Sequence, residues 1–220
     1  MSRAHIAILG AGPTGLDAAL AASEAGASFK VYEAASEVAG NVQSWSHVRL
    51  FTPWSMNVSP RARAALAAVG TPPPDGDTCP TGEELVALLL EPLSALPTIA
   101  PYVEFGTRVL EIGRDGLLKS DEIGTGARAA RRFRILLRDS SGGERVEYAD
   151  VVLDCTGTYD RPNALGVGGI HAPGELALDE FIIRRIPDFE IPDFGAEVLD
   201  GGGQRILLVG SGHSAQTTAR

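Results

Sequence analysis

The chain has 220 residues, of which 44% are hydrophobic and 21% are charged, and its formal net charge is −9. This composition is typical of a globular protein, and the acidic balance argues against nucleic acid or an anionic membrane as a partner. The two cysteines, Cys79 and Cys155, form no CxxC pair, so neither a disulfide framework nor a metal site is predicted. No signal peptide and no apolar stretch of roughly 18 residues is present, which predicts a cytoplasmic protein without a membrane span.

The N-terminal part of the chain predicts one complete βαβ unit. Residues 6–9 are continuously apolar, which is typical of a central strand in a parallel sheet. Residues 16–25 are rich in alanine and predict a helix that ends at Gly26. Residues 28–32 predict a second strand, which ends at Glu33.

The next part of the chain predicts a long loop followed by helices. Residues 40–60 show little periodicity, and loops of this length in a compact fold are often functional. Residues 61–69 predict a short helix, and the proline-rich residues 71–76 predict a rigid surface connection. The sequence TGEE at Thr81 has capping-box spacing and predicts an apolar helix that ends near Leu90.

The second half of the chain is predicted to be rich in strands. The candidates are residues 103–105, 108–112, 133–137, 145–148 and 151–153, with a hairpin turn at 141–143. Residues 162–194 are rich in proline and glycine and predict a linker with short elements, and residues 201–203 predict a flexible joint. Residues 205–209 predict a third buried strand, which leads into a second glycine turn.

The first glycine turn consists of Gly10, Ala11, Gly12, Pro13, Thr14 and Gly15. A pyrophosphate needs backbone N–H donors at close range, and a helix N-terminus supplies them together with a favourable dipole. Gly10 permits the tight turn, Gly12 lets the main chain approach the phosphates, and Gly15 lets the helix pack closely on the strand. Pro13 suits the first turn of a helix because it needs no N–H there.

Glu33 lies roughly 20 residues beyond this turn, where an acid accepts hydrogen bonds from ribose hydroxyls. A carboxylate at this position repels a 2′-phosphate, so the first site is not expected to favour NADP. The order strand, turn, helix, strand and acid predicts a dinucleotide site. A glycine-rich turn of an unrelated α/β fold is the alternative.

The second glycine turn consists of Gly210, Ser211, Gly212, His213, Ser214 and Ala215. Alanine is allowed at the third glycine position of such a turn, and a turn without a ligand is the alternative. Two turns of this kind predict two nucleotide sites. Because little sequence follows the second turn, we expect the sequence to be a fragment or the product of a truncated gene. The choice between NAD and NADP is therefore left open.

Three segments together resemble the two-dinucleotide-binding flavoprotein superfamily, which includes pyridine nucleotide–disulfide oxidoreductases, thioredoxin reductases and flavin-containing monooxygenases. They are GAGPTG with Glu33, VVLDCTGT at residues 151–158 and GSGHSA at residues 210–215. The resemblance implies an α/β fold: a Rossmann-like FAD-binding domain with a β-meander, plus the first strand and turn of a second, NAD(P)-binding domain. The implied boundaries are 1–160 for the FAD-binding domain, 161–203 for a linker and 204–220 for the start of the NAD(P)H-binding domain.

The resemblance also implies two cofactors, FAD and NAD(P)H, and the residues near them. The residues implied near FAD are Gly10, Gly12, Pro13, Thr14, Gly15, Glu33, Asn41, Val42, Val109, Thr156 and Gly157. Among these, Val109 is implied near the adenine, and Asn41 and Val42 near the flavin ribityl chain and phosphates. The residues implied near NAD(P)H are Gly210, Gly212 and Ala215.

The activity implied by the resemblance is that of an NAD(P)H-dependent FAD oxidoreductase. Disulfide reductases of the superfamily carry a redox cysteine pair that this sequence lacks, which favours a monooxygenase-like enzyme that uses a small-molecule substrate or oxygen. No residue is singled out as catalytic, and no oligomeric state is assigned. A non-catalytic nucleotide-binding fragment and a single-cofactor NAD-dependent dehydrogenase are the alternatives.

Residues 45–54 resemble the flavin-side loop of monooxygenase-like members. In one interpretation Trp45, Phe51 and Trp54 form the wall of a flavin or substrate pocket, and Arg49 contacts an anionic group. In the alternative, the three aromatic side chains only pack the loop on the domain. Cys155 is expected to be a small packed residue rather than a nucleophile.

Overall fold

The computed structural model describes residues 4–188 and 207–219, and the strands in these residues form two sheets. The strands are β1 (His5–Leu9), β2 (Ser28–Tyr32), β3 (Val103–Glu104), β4 (Thr107–Arg114), β5 (Phe133–Asp139), β6 (Glu144–Ala149) and β7 (Val151–Asp154). One sheet is parallel, with the order β3-β2-β1-β7. The other is an antiparallel meander, with the order β4-β5-β6, as the resemblance implies.

Short helices lie along the long connection between β2 and β3, and several of them pack beside the parallel sheet. The helices are α1 (Pro13–Glu24), α2 (Gly40–Gln43), α3 (Trp54–Asn57), α4 (Pro60–Ala68), α5 (Gly82–Leu85), α6 (Glu91–Ser94), α7 (Gly126–Ala130) and α8 (His213–Thr218). A π-helical turn lies at Val86–Leu90, and 3₁₀ turns lie at Ala100–Tyr102, Val167–Gly169 and Leu176–Phe181. None of the helices described has the length and apolar character that a membrane crossing requires.

The predicted βαβ unit is confirmed as β1-α1-β2. The two strands are parallel, and Ile8 lies opposite Val31. Gly26 adopts φ +61° just beyond α1, a left-handed conformation that favours glycine, and the helix ends there as predicted. The helix begins at Pro13, before the predicted range 16–25, and Pro13 lies in its first turn as predicted, so the glycine turn leads directly into it.

The central strand β1 is covered on both faces, which explains its continuous apolar sequence. On one face, Ile8 packs in a main core built with α1, α4 and the α5–α6 helices. On the other face, Ala7 and Leu9 pack in an inter-sheet core against Ile135 and Leu137 of the meander. Successive residues therefore enter different cores, because strand side chains alternate between the two faces of a sheet.

The helix predicted from Thr81 is confirmed at its start and extends further than expected. Thr81 and Glu84 form both hydrogen bonds of the capping box, at 2.8 and 3.1 Å. The helical segment continues through the π-helical turn to Ser94. Pro92 explains the irregular turn, because it has no N–H and its ring crowds the carbonyl one turn earlier.

Several sequence predictions differ from the structure in detail. Residues 40–60 are not wholly irregular, because they contain the single-turn helices α2 and α3. β7 forms as predicted, but Val151 and Leu153 stay 39% and 36% exposed because β7 is an edge strand of the described sheet. In the linker at residues 162–194, in contrast, the predicted short elements are confirmed by two 3₁₀ turns in its described part.

The strand predicted at residues 205–209 is wrong for the part that the structure describes. Residues 207–209 are exposed and form no strand, since a strand needs a neighbour for its backbone groups and none of the described strands pairs with them. The other two residues of that prediction, Arg205 and Ile206, lie outside the described residues, as does the glycine joint at 201–203.

Candidate dinucleotide-binding site

Three parallel strands end at the same edge of the sheet. The register places Leu9 of β1 beside Tyr32 of β2 and beside Asp154 of β7. The first glycine turn, Glu33 and the turn at Thr156 follow these strand ends and are therefore neighbours. The crevice outside the carboxyl ends of parallel strands is where open α/β sheets bind ligands.

The three glycines of the first turn differ in whether the fold itself requires glycine at that position. Gly10 has φ +91°, and a Cβ there would lie 3.0 Å from the carbonyl oxygen of Cys155. A Cβ at Gly15 would lie 1.9 Å from the carbonyl oxygen of Gly10, so only glycine lets α1 begin this close to β1. A Cβ at Gly12, in contrast, would meet no other described part of the protein within 4 Å. The fold therefore does not require glycine at position 12, and the space there is open to a ligand.

The N-terminus of α1 is available to an anion. Gly12 is the N-cap residue in an extended conformation (φ −81°, ψ −171°), Pro13 begins the helix, and no described side chain caps it. Pro13 and Thr14 are exposed. Because the first-turn amides of a helix have no partner within the helix, an uncapped and exposed start offers N–H donors and the positive end of the dipole. These residues fit a pyrophosphate group.

Glu33 is attached to the glycine turn itself, which the sequence analysis missed. Its Oε2 accepts a hydrogen bond from the N–H of Ala11 at 2.7 Å, and its Oε1 accepts one from the N–H of Ala35 at 3.0 Å. The residue is half-buried. A carboxylate has about four lone-pair sites, so two remain for ribose hydroxyls. The carboxylate thus stabilises the turn in addition to the ribose contact that the spacing predicts, and no local sequence signal indicates this structural role.

The loop before α2 lies against the same turn. The N–H of Ala39 donates to the carbonyl oxygen of Ala11 at 3.2 Å, and Ala39 has φ +58°, which is unusual for a residue with a side chain. Asn41 donates from Nδ2 to the carbonyl oxygen of Thr156 at 3.2 Å. The structure therefore brings Asn41, Thr156 and the glycine turn to one edge. Val42, the neighbour of Asn41, is buried in the main core.

The turn after β7 is closed by its own side chains. Asp154 accepts hydrogen bonds from the N–H of Thr156 at 3.1 Å and from its hydroxyl at 2.7 Å. These bonds lower the pKa of Asp154 against the opposing effect of burial. Gly157 follows with φ +70°. Cys155 packs against the main core, and burial together with the Asp154 charge raises the pKa of its thiol, so it is a packed residue as predicted.

Val109, which the resemblance implies near an adenine, lies in β4 opposite Leu137. It is half-buried and packs against the inter-sheet core, which also contains Tyr32, the residue before Glu33. The structure thus places Val109 on the meander side of the parallel sheet.

The second glycine turn has the backbone form of the first. Gly210 has φ +123°, and Gly212 is an extended N-cap residue (φ −76°, ψ −179°) at the start of α8. The close approach seen at Gly15 is absent among the described residues here, because a Cβ built at Gly210 would lie 3.9 Å from the Cβ of Ala215. This explains why alanine is accommodated at the third position.

The aromatic loop is mainly a packing element. Trp54 is buried in the main core, and Trp45 packs against that core, as the packing interpretation predicts. Phe51 differs: it is 67% exposed, and its ring stacks on His213 of α8 with centroids 4.1 Å apart. The loop that contains Phe51 therefore touches the second glycine turn.

Two polar residues of this loop are engaged by the protein. Arg49 donates to the carbonyl oxygen of Cys79 at 2.5 Å and lies 3.7 Å from Glu84. His47 forms a hydrogen bond of 3.1 Å with the carbonyl oxygen of Ile186. Arg49 thus contacts an anionic group that belongs to the protein itself, the carboxylate of Glu84.

Comparison with known proteins agrees with this geometry. Residues 8–66 match the family model of an NAD(P)-binding Rossmann-like domain. Solved structures of a disulfide reductase and of a flavin-containing monooxygenase share the described α/β fold. No curated protein matches the chain in sequence.

The solved structures with this fold include reductases and monooxygenases. Bacillithiol disulfide reductase Bdr (YpdA) from Bacillus cereus superposes with a TM-score of 0.55 at 19% identity, over 76% of this chain and 44% of its own. The flavin-containing monooxygenase from Stenotrophomonas maltophilia gives 0.52 at 23% identity, over 76% and 41%. OTEMO in complex with FAD and NADP gives 0.52 at 17% identity, over 71% and 26%. The chain thus spans less than half the length of each of these three proteins.

Proposed function

We propose that the chain binds FAD at the first glycine turn. The open space at Gly12 and the uncapped start of α1 suit the pyrophosphate, and the free lone pairs of Glu33 suit the adenosine ribose. Asn41 and Thr156 border the same edge of the sheet. One contrast supports this proposal above all. The fold requires glycine at positions 10 and 15 for steric reasons, but it does not require glycine at position 12, where the space is open to a ligand.

We assign this FAD-binding unit to residues 1–160, because both cores consist of residues within that range. We propose residues 161–203 as a linker and 204–220 as the start of an NAD(P)H-binding region. The shared backbone form of Gly12 and Gly212 supports a second nucleotide contact at residues 210–215. The OTEMO structure, which contains FAD and NADP, is one example of this fold with both cofactors.

The proposed activity is that of an FAD-dependent oxidoreductase that uses NAD(P)H. Flavin, when bound, supplies two-electron chemistry between a nicotinamide and oxygen or another acceptor. The chain's own residues bind and orient it: the α1 amides hold the diphosphate, Glu33 holds the ribose, and the Asn41–Thr156 pair keeps the loop and the β7 turn together. A monooxygenase-like reaction is favoured over dithiol chemistry because Cys79 and Cys155 are the only cysteines and Cys155 is packed against the core.

A visible spectrum of the purified protein after incubation with FAD and removal of free cofactor tests this proposal. Retained flavin that NADH or NADPH bleaches without oxygen, and that re-oxidises in air, is the expected result. Retained flavin without bleaching identifies a nucleotide-binding protein without this activity. Bleached flavin that re-oxidises only with a small disulfide would overturn the monooxygenase-like assignment, and failure to retain flavin would overturn the proposal as a whole.

A further inference from the structure

The peptide group of Glu33 is held by the segment that leads from β3 into β4. The N–H of Glu33 donates to the carbonyl oxygen of Glu104 at 2.9 Å. The N–H of Thr107 donates to the carbonyl oxygen of Glu33 at 2.8 Å. Both hydrogen-bonding groups of the Glu33 main chain are thus fixed by this segment, which sets the direction in which the side chain leaves the backbone.

The segment is itself closed by a side-chain hydrogen bond. Thr107 is 2% exposed, and its hydroxyl donates to Oε1 of Glu104 at 3.0 Å. Gly106 makes the bend possible with φ +63°. Without the Thr107 hydroxyl, the turn that supports Glu33 would lose the bond that joins its two ends.

The carboxylate of Glu104 is anchored to both sheets. Lys30 of β2 lies 2.5 Å from its Oε2, and Arg145 of β6 contacts its Oε1. Burial raises the pKa of Glu104, but the hydrogen bonds from Lys30, Thr107 and Arg145 together hold it below its usual value. Glu104 is therefore charged at neutral pH, and it ties the support of Glu33 to the parallel sheet and to the meander.

We infer that Thr107 and Glu104 are positioning residues for ribose recognition, because they fix the main chain of Glu33 and so aim its carboxylate at the sugar. This inference rests on the proposed FAD site. It extends that site beyond the sheet edge to residues that need not touch the cofactor. The expected consequence is a selective effect on recognition of the ribose hydroxyls, with contact to the phosphates preserved.

The test compares ADP with 2′-deoxy-ADP, which share adenine and both phosphates and differ by one ribose hydroxyl. Calorimetric titration of the wild-type protein is expected to give roughly tenfold tighter binding of ADP, the ratio for one hydrogen bond to a charged group. Thr107→Val keeps the shape of the side chain without its hydroxyl, and should lower this ratio to about threefold or less. Thr107→Ser keeps the hydroxyl and should retain the wild-type ratio.

A purely structural role for Thr107 predicts a different result. In that case Thr107→Val would weaken ADP and 2′-deoxy-ADP by the same factor and leave the ratio unchanged, which would overturn the inference. If circular dichroism shows that Thr107→Val does not fold, Glu104→Gln is tested instead. The ratio of ADP to 2′-deoxy-ADP affinity is measured for it in the same way, and the same fall in the ratio is expected. Equal binding of the two nucleotides by the wild type would overturn this inference while leaving FAD binding intact. Binding of neither nucleotide would overturn the proposed site and the inference together.

Discussion

The carboxylate of Glu33 accepts a hydrogen bond from the main-chain N–H of Ala11 at 2.7 Å. The acid at the end of β2 and the glycine turn at the end of β1 are therefore directly joined, across 22 positions in the sequence. Glu33 thus stabilises the conformation of the turn as well as offering lone pairs to a ribose. Substitution at this residue should affect both stability and binding.

Glu33→Gln is expected to lower the free energy of unfolding by about 2 kcal/mol, the scale of a hydrogen bond to a charged group. Both carboxylate oxygens accept from main-chain N–H groups, so the amide NH₂ of glutamine would face a donor. Urea unfolding measures the change. Glu37→Gln, at an exposed position of the same loop, should stay within about 0.5 kcal/mol of wild type. Equal midpoints for the two variants would contradict the prediction.

Gly12→Leu is expected to weaken FAD binding at least roughly a hundredfold, about 2.7 kcal/mol, with little change in thermal stability. The leucine side chain would extend into the open space at Gly12, where an added Cβ meets no described atom within 4 Å. Flavin fluorescence titration and thermal unfolding measure the two effects. Gly113→Leu is the matched control, because Gly113 is exposed in β4 and a Cβ there also meets no atom of the described residues within 4 Å. Unchanged FAD affinity in Gly12→Leu would remove the main support for the proposed site.

Gly15→Ala should have the opposite profile, with a large loss of stability. The added Cβ would lie 1.9 Å from the carbonyl oxygen of Gly10, so α1 would have to move away from β1. Overpacking of this kind costs about 1–3 kcal/mol, and a backbone neighbour that cannot rotate away favours the upper end. Denaturant unfolding measures the loss, with Gly12→Ala as the control in the same turn. A Gly15→Ala protein as stable as Gly12→Ala would show that the helix start is more adaptable than its geometry indicates.

Local features of the fold could be predicted because their causes lie within a few residues. The apolar run of β1, the left-handed Gly26 and the Thr81 capping box each depend on short-range chemistry. The hydrogen bond from Asn41 to Thr156 joins residues 115 positions apart, and no local pattern specifies which partner such a side chain finds. The hydrogen bond between Glu33 and the glycine turn was missed for the same reason, since the donor is a main-chain N–H and every sequence contains many of these.

The segment after β7 shows the same limit of sequence reasoning. Glu175 lies in a stretch that its proline and glycine content identifies as a linker, yet its side chain is only 1% exposed. It accepts hydrogen bonds from the N–H groups of Leu165, at 3.0 Å, and Ala172, at 2.7 Å, and pairs with Arg184 at 3.0 Å. Main-chain donors leave no compositional signal, so this organising carboxylate became visible only in the structure.

The order of this segment is expected to depend on the charge of Glu175. Burial raises its pKa, but the bonds from Ala172, Leu165 and Arg184 outweigh burial and lower it. A carboxyl group with a lowered pKa in the folded state stabilises that state above the unfolded value of about 4.3, and this contribution is lost as the pH falls through the folded pKa. Hydrogen-exchange protection of the Leu165 and Ala172 amides, corrected for intrinsic rates, should therefore be constant from neutral pH to about 5 and fall in acid. Glu175→Gln should show low protection already at neutral pH, whereas Glu180→Gln, at an exposed position, should behave as wild type. Wild-type protection in Glu175→Gln, or protection that declines as the pH rises, would contradict this role.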